Sequence, residues 1–293
     1  MKAFQEFVNI YIVKSKKCLY EIFLLLTFSI IPITFFSQFN QILDIIYSYY
    51  TIRKRHSINQ NGRIMSYQAV FKRYEIKYLL TKEQKCAVLE AMEGHMSIDK
   101  YGRTIIRNIY YDTDNFRLIR RSLEKPMYKE KLRIRSYGRA GKEDKVFVEL
   151  KKKYDGIVYK RRLSMNEDVA REWIIGEIPQ PVSGQISDEI DYVSKFYGLK
   201  PKAFISYERE AYFSDEDEEF RVTFDENITC RTTDLHLDTE VYGDVILGDG
   251  LTLMEIKTPG GIPLWMTSVL TENKIYKTSF SKYGKAYTDI ISA

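Results

Sequence analysis

Between Lys129 and Arg162 the chain reads KEKLRIRSYGRAGKEDKVFVELKKKYDGIVYKRR. Lys131, Arg133 and Arg135 alternate with Leu132 and Ile134, and Glu149, Lys151 and Lys153 share the parity of Phe147. Alternate residues of a β-strand point to one face of its sheet. Three successive strands therefore carry rows of Lys and Arg on one face, with Asp155-Gly156 as the hairpin turn between the last two. Such a face repels itself unless it is solvated or holds a polyanion.

The remaining composition narrows what that polyanion can meet. The 293 residues carry a formal charge of +5, too small an excess to name a partner by itself. Its placement says more: acidic residues gather in the turn from Ser214 to Glu219, whereas basic ones sit within strands. Cys18, Cys86 and Cys230 form no CxxC pair, and His56, His95 and His236 are scattered. A disulfide framework, a zinc site and a Ser-His-Asp triad are all disfavoured, and a reducing compartment fits.

Residues 1–64 differ from the rest of the chain. Ile22 to Leu43 lacks charge and is long enough to cross a bilayer, though Thr, Ser, Asn, Gln and Pro dilute it. Lysines and arginines flank both sides, so no orientation follows. Two readings stand together: a membrane anchor, or an over-extended start with translation beginning at Met65. The second domain is expected over 65–293.

From Met65 the pattern sharpens. Tyr67–Leu80 reads as a strand, Thr81-Lys82-Glu83-Gln84 as a capping box opening a helix to about Met92, and Thr104–Tyr111 as a strand. Asp112 or Asp114 is placed to cap a short helix over 116–123. Helices are expected near 168–175 and 188–197, the latter ended by Gly198. Strands follow over 202–213, 220–228 and 251–257, then a helix over 263–270. At least eight strands joined by hairpins or short helices predict an α+β fold whose antiparallel sheet closes into a barrel.

The in-phase cations are Lys77, Lys131, Arg133, Arg135, Lys151, Lys160, Arg162, Arg209, Arg221 and Lys257, against Glu75, Glu149 and Glu255. The other faces are apolar and need helices over them, so the charged faces line the inside. Unpaired buried cations cost several kcal/mol each, so that interior holds water, a polyanion or both. Phosphate oxygens suit Arg and Lys, and a few carboxylates among them suit Mg²⁺ or Mn²⁺ arriving with the phosphates. Nucleic acid is disfavoured, because most Tyr and Phe take the other parity; Tyr207 is an exception.

The segments FKRYEIKYLL (71–80), IYYDT (109–113), KLRIRSYG (131–138), VFVELKKK (146–153), VYKRR (158–162), ISYERE (205–210), FRVTFDENI (220–228), LMEIKTPG (253–260) and FSKYGKAY (280–287) occur in one order. In that order they resemble the polyphosphate polymerase domain of the vacuolar transporter chaperone (VTC) family, a branch of the triphosphate tunnel (CYTH-like) metalloenzymes. The resemblance implies an eight-stranded closed tunnel that transfers the γ-phosphate of ATP to inorganic polyphosphate. It places Lys77, Arg133, Arg135, Lys151, Lys160, Arg209, Arg221 and Lys282 on phosphates, Ser281 beside the last, and Glu255 on a Mn²⁺ or Mg²⁺ ion. Lys131, Arg162 and Lys257 join them as substrate-binding candidates by strand parity. Related hydrolases and cyclases carry ExExK on the first strand; here Arg73 replaces the first Glu, which favours the polymerase branch. A triphosphatase of the same architecture and a non-catalytic polyphosphate or inositol-phosphate sensor are the alternatives. The expected setting is the cytosol, with a tether if 22–43 is an anchor.

Overall fold

The computed structural model describes residues 57–58, 64–65 and 74–292, apart from 156 and 218. The proposed anchor over 22–43 and the first half of the strand expected from Tyr67 lie outside them. Among the described residues no helix is long and apolar enough to cross a membrane. Strands β1 (Ser57–Ile58) and β2 (Ile64–Met65) pair with each other as a short antiparallel ladder.

The main unit, Phe71–Ala293, is built on β3 (Tyr74–Leu80), β4 (Met96–Ile98), β5 (Thr104–Asp112), β6 (Tyr128–Tyr137), β7 (Lys145–Tyr154) and β8 (Ile157–Asn166). It continues with β9 (Lys200–Ser214), β10 (Arg221–Arg231), β11 (Asp244–Val245), β12 (Thr252–Thr258) and β13 (Lys277–Thr278). Its helices are α1 (Lys82–Met92), α2 (Arg117–Leu123), α3 (Glu167–Ile175), α4 (Gln185–Tyr197), α5 (Leu264–Glu272) and α6 (Lys282–Ala286), the last running into a π-helical turn.

Local chemistry sets these elements where the sequence places them. Thr81 and Gln84 exchange the two bonds of a capping box at α1. Asp112 accepts from the backbone N–H groups of Leu118 and Ile119 at 2.9 and 3.0 Å, the first turn of α2. Gly198 ends α4 at φ +59°. Asp155, at φ +44°, opens the β7–β8 turn as a type I′ geometry requires; Gly156 lies outside the described residues.

The closed eight-stranded barrel is not what forms. Eleven strands make one antiparallel sheet in the order β13-β3-β12-β10-β9-β5-β6-β7-β8, with β11 on β10 and β4 on β9, and its edges β13 and β8 do not pair. The sheet nevertheless curls. Strands β3 and β7 are six steps apart, about 29 Å if flat, yet Lys151 Nζ on β7 lies 2.7 Å from Glu75 Oε2 on β3. The seam is bridged by side chains and by the C-terminal segment: Lys131 donates to Ser281 Oγ at 2.9 Å and Lys77 to the Phe280 carbonyl at 2.7 Å. Short strands β11 and β13, absent from the sequence reading, account for part of the larger count; two-residue strands carry no periodicity to detect.

Two apolar cores lie outside the curl. Leu132, Ile134, Val146, Val148 and Leu150 pack with Trp173, Ile174, Ile190 and Val193 of α3 and α4. Tyr78, Leu80, Val222, Phe224, Met254 and Ile256 pack with Val88 and Met92 of α1 and with Met266, Val269 and Leu270 of α5. These are the even-numbered partners of the cationic positions on β3, β6, β7 and β12, so the charged faces turn inward. A third cluster adds apolar side chains to the charged interior expected from the sequence. Ile106, Tyr110, Ile205, Tyr207, Ile228 and Leu253 pack with Phe280, Tyr283 and Ala286 of the C-terminal segment. On β10 an irregular step between Glu226 and Thr229 puts Asp225 and Ile228 on one face despite their odd spacing.

Candidate functional site

The inward faces organise around four carboxylates, each gripped by cations. Glu149, 1% exposed, lies 2.7 Å from Arg133, 2.7 Å from Lys160 and 3.8 Å from Arg135, and also pairs with Arg162. Asp225, equally buried, takes both Arg209 (2.5 Å from Nε) and Lys282 (2.5 Å). Glu255 lies 3.2 Å from Lys257 and 3.6 Å from Lys77, and Glu75 holds Lys151. Tyr207 joins the first two groups: Arg135 donates to its hydroxyl at 2.9 Å, and Lys282 Nζ sits 4.3 Å from its ring centre. Arg133 likewise donates to the Tyr110 hydroxyl at 2.9 Å.

Twelve of the thirteen residues expected from the sequence take part in these ion pairs and hydrogen bonds. Lys77, Lys131, Arg133, Arg135, Lys151, Lys160, Arg162, Arg209, Glu255, Lys257, Ser281 and Lys282 are linked by the contacts above. Arg221 pairs in register with Lys257 at the end of β10 and is exposed. Arg161, of the opposite parity, instead meets Glu189 of α4 on the outside at 3.2 Å. Sequence reasoning passed over Asp225 as a site residue, although it was in phase with Arg221. It also missed Asn108 and Tyr110, whose polar atoms hold Arg135 and Arg133. For Asp225 the signal was present: an acid at an inward position of a strand otherwise facing cations.

Electrostatics follow the crowding. Burial works to raise the Glu255 carboxyl, but Lys257, Lys77, Lys151 and Arg209 hold it well below the usual carboxylate range. Burial likewise opposes ionisation of Asp225, and Arg209 and Lys282 still pull it down to about 2. The Tyr207 phenol would rise on burial, yet Arg135, Arg209 and Lys282 bring it down to about 8. Burial, then the like charges of Lys129, Lys77 and Lys151, push Lys131 down to about 7. Burial outweighs Glu149 at Lys160 and lowers it to about 8.

Those two lysines make a prediction. At pH 8 the free protein holds Lys131 mostly neutral and Lys160 about half neutral, whereas a bound polyanion favours both charged forms. Binding of tripolyphosphate at pH 8 should take up roughly one proton, and affinity should fall as pH rises from 7 to 9. Calorimetry in buffers of different ionisation enthalpy measures the uptake; a binding heat independent of buffer would contradict it.

Among the described residues no group of three or more His, Cys, Asp or Glu side chains is placed to hold a metal ion by itself. The donor set nonetheless suits a hard divalent cation that brings its other ligands with it. Glu255 and Glu75 sit at diagonal positions of the β3–β12 ladder and feel each other's charge. Mg²⁺ and Mn²⁺ sites of this kind take one or two carboxylates, with phosphate oxygens and water completing the shell.

The curled antiparallel sheet thus gathers Lys and Arg from several strands around four carboxylates on its inward face. The profile of the VTC domain matches residues 72–290, and the chain belongs to that family. Among solved structures, a candidate adenylate cyclase of Bacillus halodurans is similar at 16% identity, with 75% of this chain and 99% of that one covered and a TM-score of 0.47. A second, from Vibrio parahaemolyticus, is similar at 12% identity, 75% and 98% coverage and a TM-score of 0.41. No curated protein sequence matches the chain.

Proposed function

We propose that the chain is a divalent-metal-dependent polyphosphate polymerase that moves the γ-phosphate of ATP onto a growing inorganic polyphosphate chain. Membership of the VTC family supports action on polyphosphate or triphosphate. The single observation that carries the rest is the convergence of Lys77, Arg133, Arg135, Lys151, Arg209 and Lys282 from different elements on the inward side of the curled sheet. Arg133, Arg135 and Arg209 have the planar forks that grip phosphate oxygens in pairs, and Lys77, Lys151, Lys160 and Lys282 supply point charges between them. These cations rest on Glu149, Asp225, Glu75 and Glu255. An entering phosphate chain exchanges those carboxylates for its own oxygens.

Phosphoryl transfer asks the protein for alignment and for neutralisation of charge spread over the transferring group. A divalent ion held by Glu255, with Glu75 adjacent, supplies Lewis-acid stabilisation when bound. The lumen lysines and arginines hold donor and acceptor phosphates in line and keep them from rotating away. No general base is needed, because the acceptor phosphate is already ionised, and this agrees with the absence of a His or Cys constellation among the site residues.

The full chain incubated with ATP and Mn²⁺ should produce acid-insoluble polyphosphate longer than any primer added. Orthophosphate as the sole product would instead favour a triphosphatase, with water as acceptor. Binding without turnover would favour a sensor. The region 1–64 is proposed as a separate extension preceding the catalytic domain.

A further inference from the structure

The row of lysines on the inward face of β6 and β7 runs on past the residues assigned to the site. Lys129 lies two residues before Lys131 on β6, about 7 Å along the strand, and Lys153 two residues after Lys151 on β7. In the β6–β7 ladder Lys131 stands opposite Lys151 and Lys129 opposite Lys153, so two like-charged pairs follow one another on one face. Like charges directly opposite each other destabilise a sheet. These four also act on one another. Burial, then the like charges of Lys153 and Lys125, push the Lys129 ammonium down, and Lys129 is the foremost like charge acting on Lys131.

Glu75 holds Lys151 at 2.7 Å, but the added lysines have no such counter-charge. Among the described residues Lys125, Lys129 and Lys153 form no ion pair, and Lys129 donates to the Ser122 carbonyl at 3.3 Å. The other end of the same face is built differently. Past Arg135 and Glu149 stand Tyr137 and Phe147, edge to face at 5.6 Å and 82°. Tyr128 and Tyr154, which end the lysine row, take the opposite parity, so no ring shares its face for base stacking.

We propose that Lys129, Lys153 and Lys125 form a secondary subsite for a long polyphosphate chain, holding phosphates beyond those gripped in the lumen. The inference rests on the polymerase reading for the polymer's identity. A linear polyanion laid along the β6–β7 pair brings continuous negative charge and relieves both opposed lysine pairs at once. Arg133, Arg135, Arg209 and Lys282 serve a triphosphate; the added lysines come into play only for a longer chain. The subsite thus retains the growing polymer in preference to short phosphates.

Lys129→Gln and Lys153→Gln, made separately and together in the full chain, test this by calorimetry with long-chain polyphosphate and with tripolyphosphate. The double variant should bind the long chain about tenfold more weakly, the scale of two partly exposed charge contacts. Tripolyphosphate should bind as before or more tightly, since loss of the Lys129 charge makes Lys131 easier to protonate. Lys153→Glu should enlarge the loss for the long chain alone. Equal weakening of both ligands, or of neither, would overturn the assignment. So would a single-stranded DNA oligonucleotide that binds as tightly as polyphosphate and weakens in the same variants, which would give the row to nucleic acid. Wild-type protein that binds neither phosphate ligand would overturn the polymerase reading together with the subsite, a result distinct from any failure confined to the variants.

Discussion

Glu255→Gln should lower phosphoryl transfer by about three orders of magnitude, the upper range for removing one preorganised electrostatic group. Tripolyphosphate affinity in the absence of metal should stay within about threefold of wild type or tighten. The asymmetry follows from what Glu255 touches. Lys257 and Lys77 hold it at 3.2 and 3.6 Å, and both are placed to bind phosphate once it is gone. A glutamine keeps the shape and one oxygen but gives up the charge that a divalent ion needs. Steady-state turnover, with calorimetric binding of tripolyphosphate in chelator, separates the two effects. Unchanged turnover would remove Glu255 from the catalytic account; a parallel collapse of binding would make it a structural residue instead.

The second large effect has opposite signs on stability and affinity. Glu149 is nearly inaccessible and neutralises Arg133, Lys160, Arg162 and, at longer range, Arg135. Glu149→Gln leaves that cluster without its counter-charge, and breaking a buried ion group from one side costs about 3–5 kcal/mol. The same change frees cations that an incoming phosphate must otherwise win from the carboxylate. One charged hydrogen bond of about 1.5–3 kcal/mol then corresponds to at least tenfold tighter tripolyphosphate binding. Denaturant unfolding and calorimetry should thus show a less stable protein that binds more tightly and, in the presence of tripolyphosphate, recovers stability. A variant that binds more weakly would mean that Glu149 orients the cations rather than competing for them.

Much of this site was legible in the strand parity. Lys131, Arg133 and Arg135 alternate with Leu132 and Ile134, and those leucine and isoleucine side chains are fully buried against α3 and α4. Burial of one parity fixes the direction of the other, and a one-residue slip would expose the core. The capping box at Thr81 and the Asp112 cap on α2 were likewise local and therefore readable. Closure was not. Whether sheet edges pair depends on long-range curvature and on how a non-repetitive C-terminal segment packs, and Ser281 and Phe280 carry no strand period. The inward apolar cluster was missed for a similar reason. The β10 irregularity resets parity after Glu226, so Ile228 and Cys230 face Ile205 and Tyr283 rather than α1 and α5. Asp225 stood in phase on its strand, but its partners, Arg209 and Lys282, are far away in sequence and mark it as their counter-charge only once folded.

The most direct test of the account is a crystal structure with tripolyphosphate and Mn²⁺. It should show phosphorus atoms in a line inside the curled sheet, with oxygens on Arg133, Arg209 and Lys282 and an anomalous manganese peak beside Glu255. Phosphates bound on the outer faces, with Arg133 still on Glu149 and Arg209 still on Asp225, would contradict it.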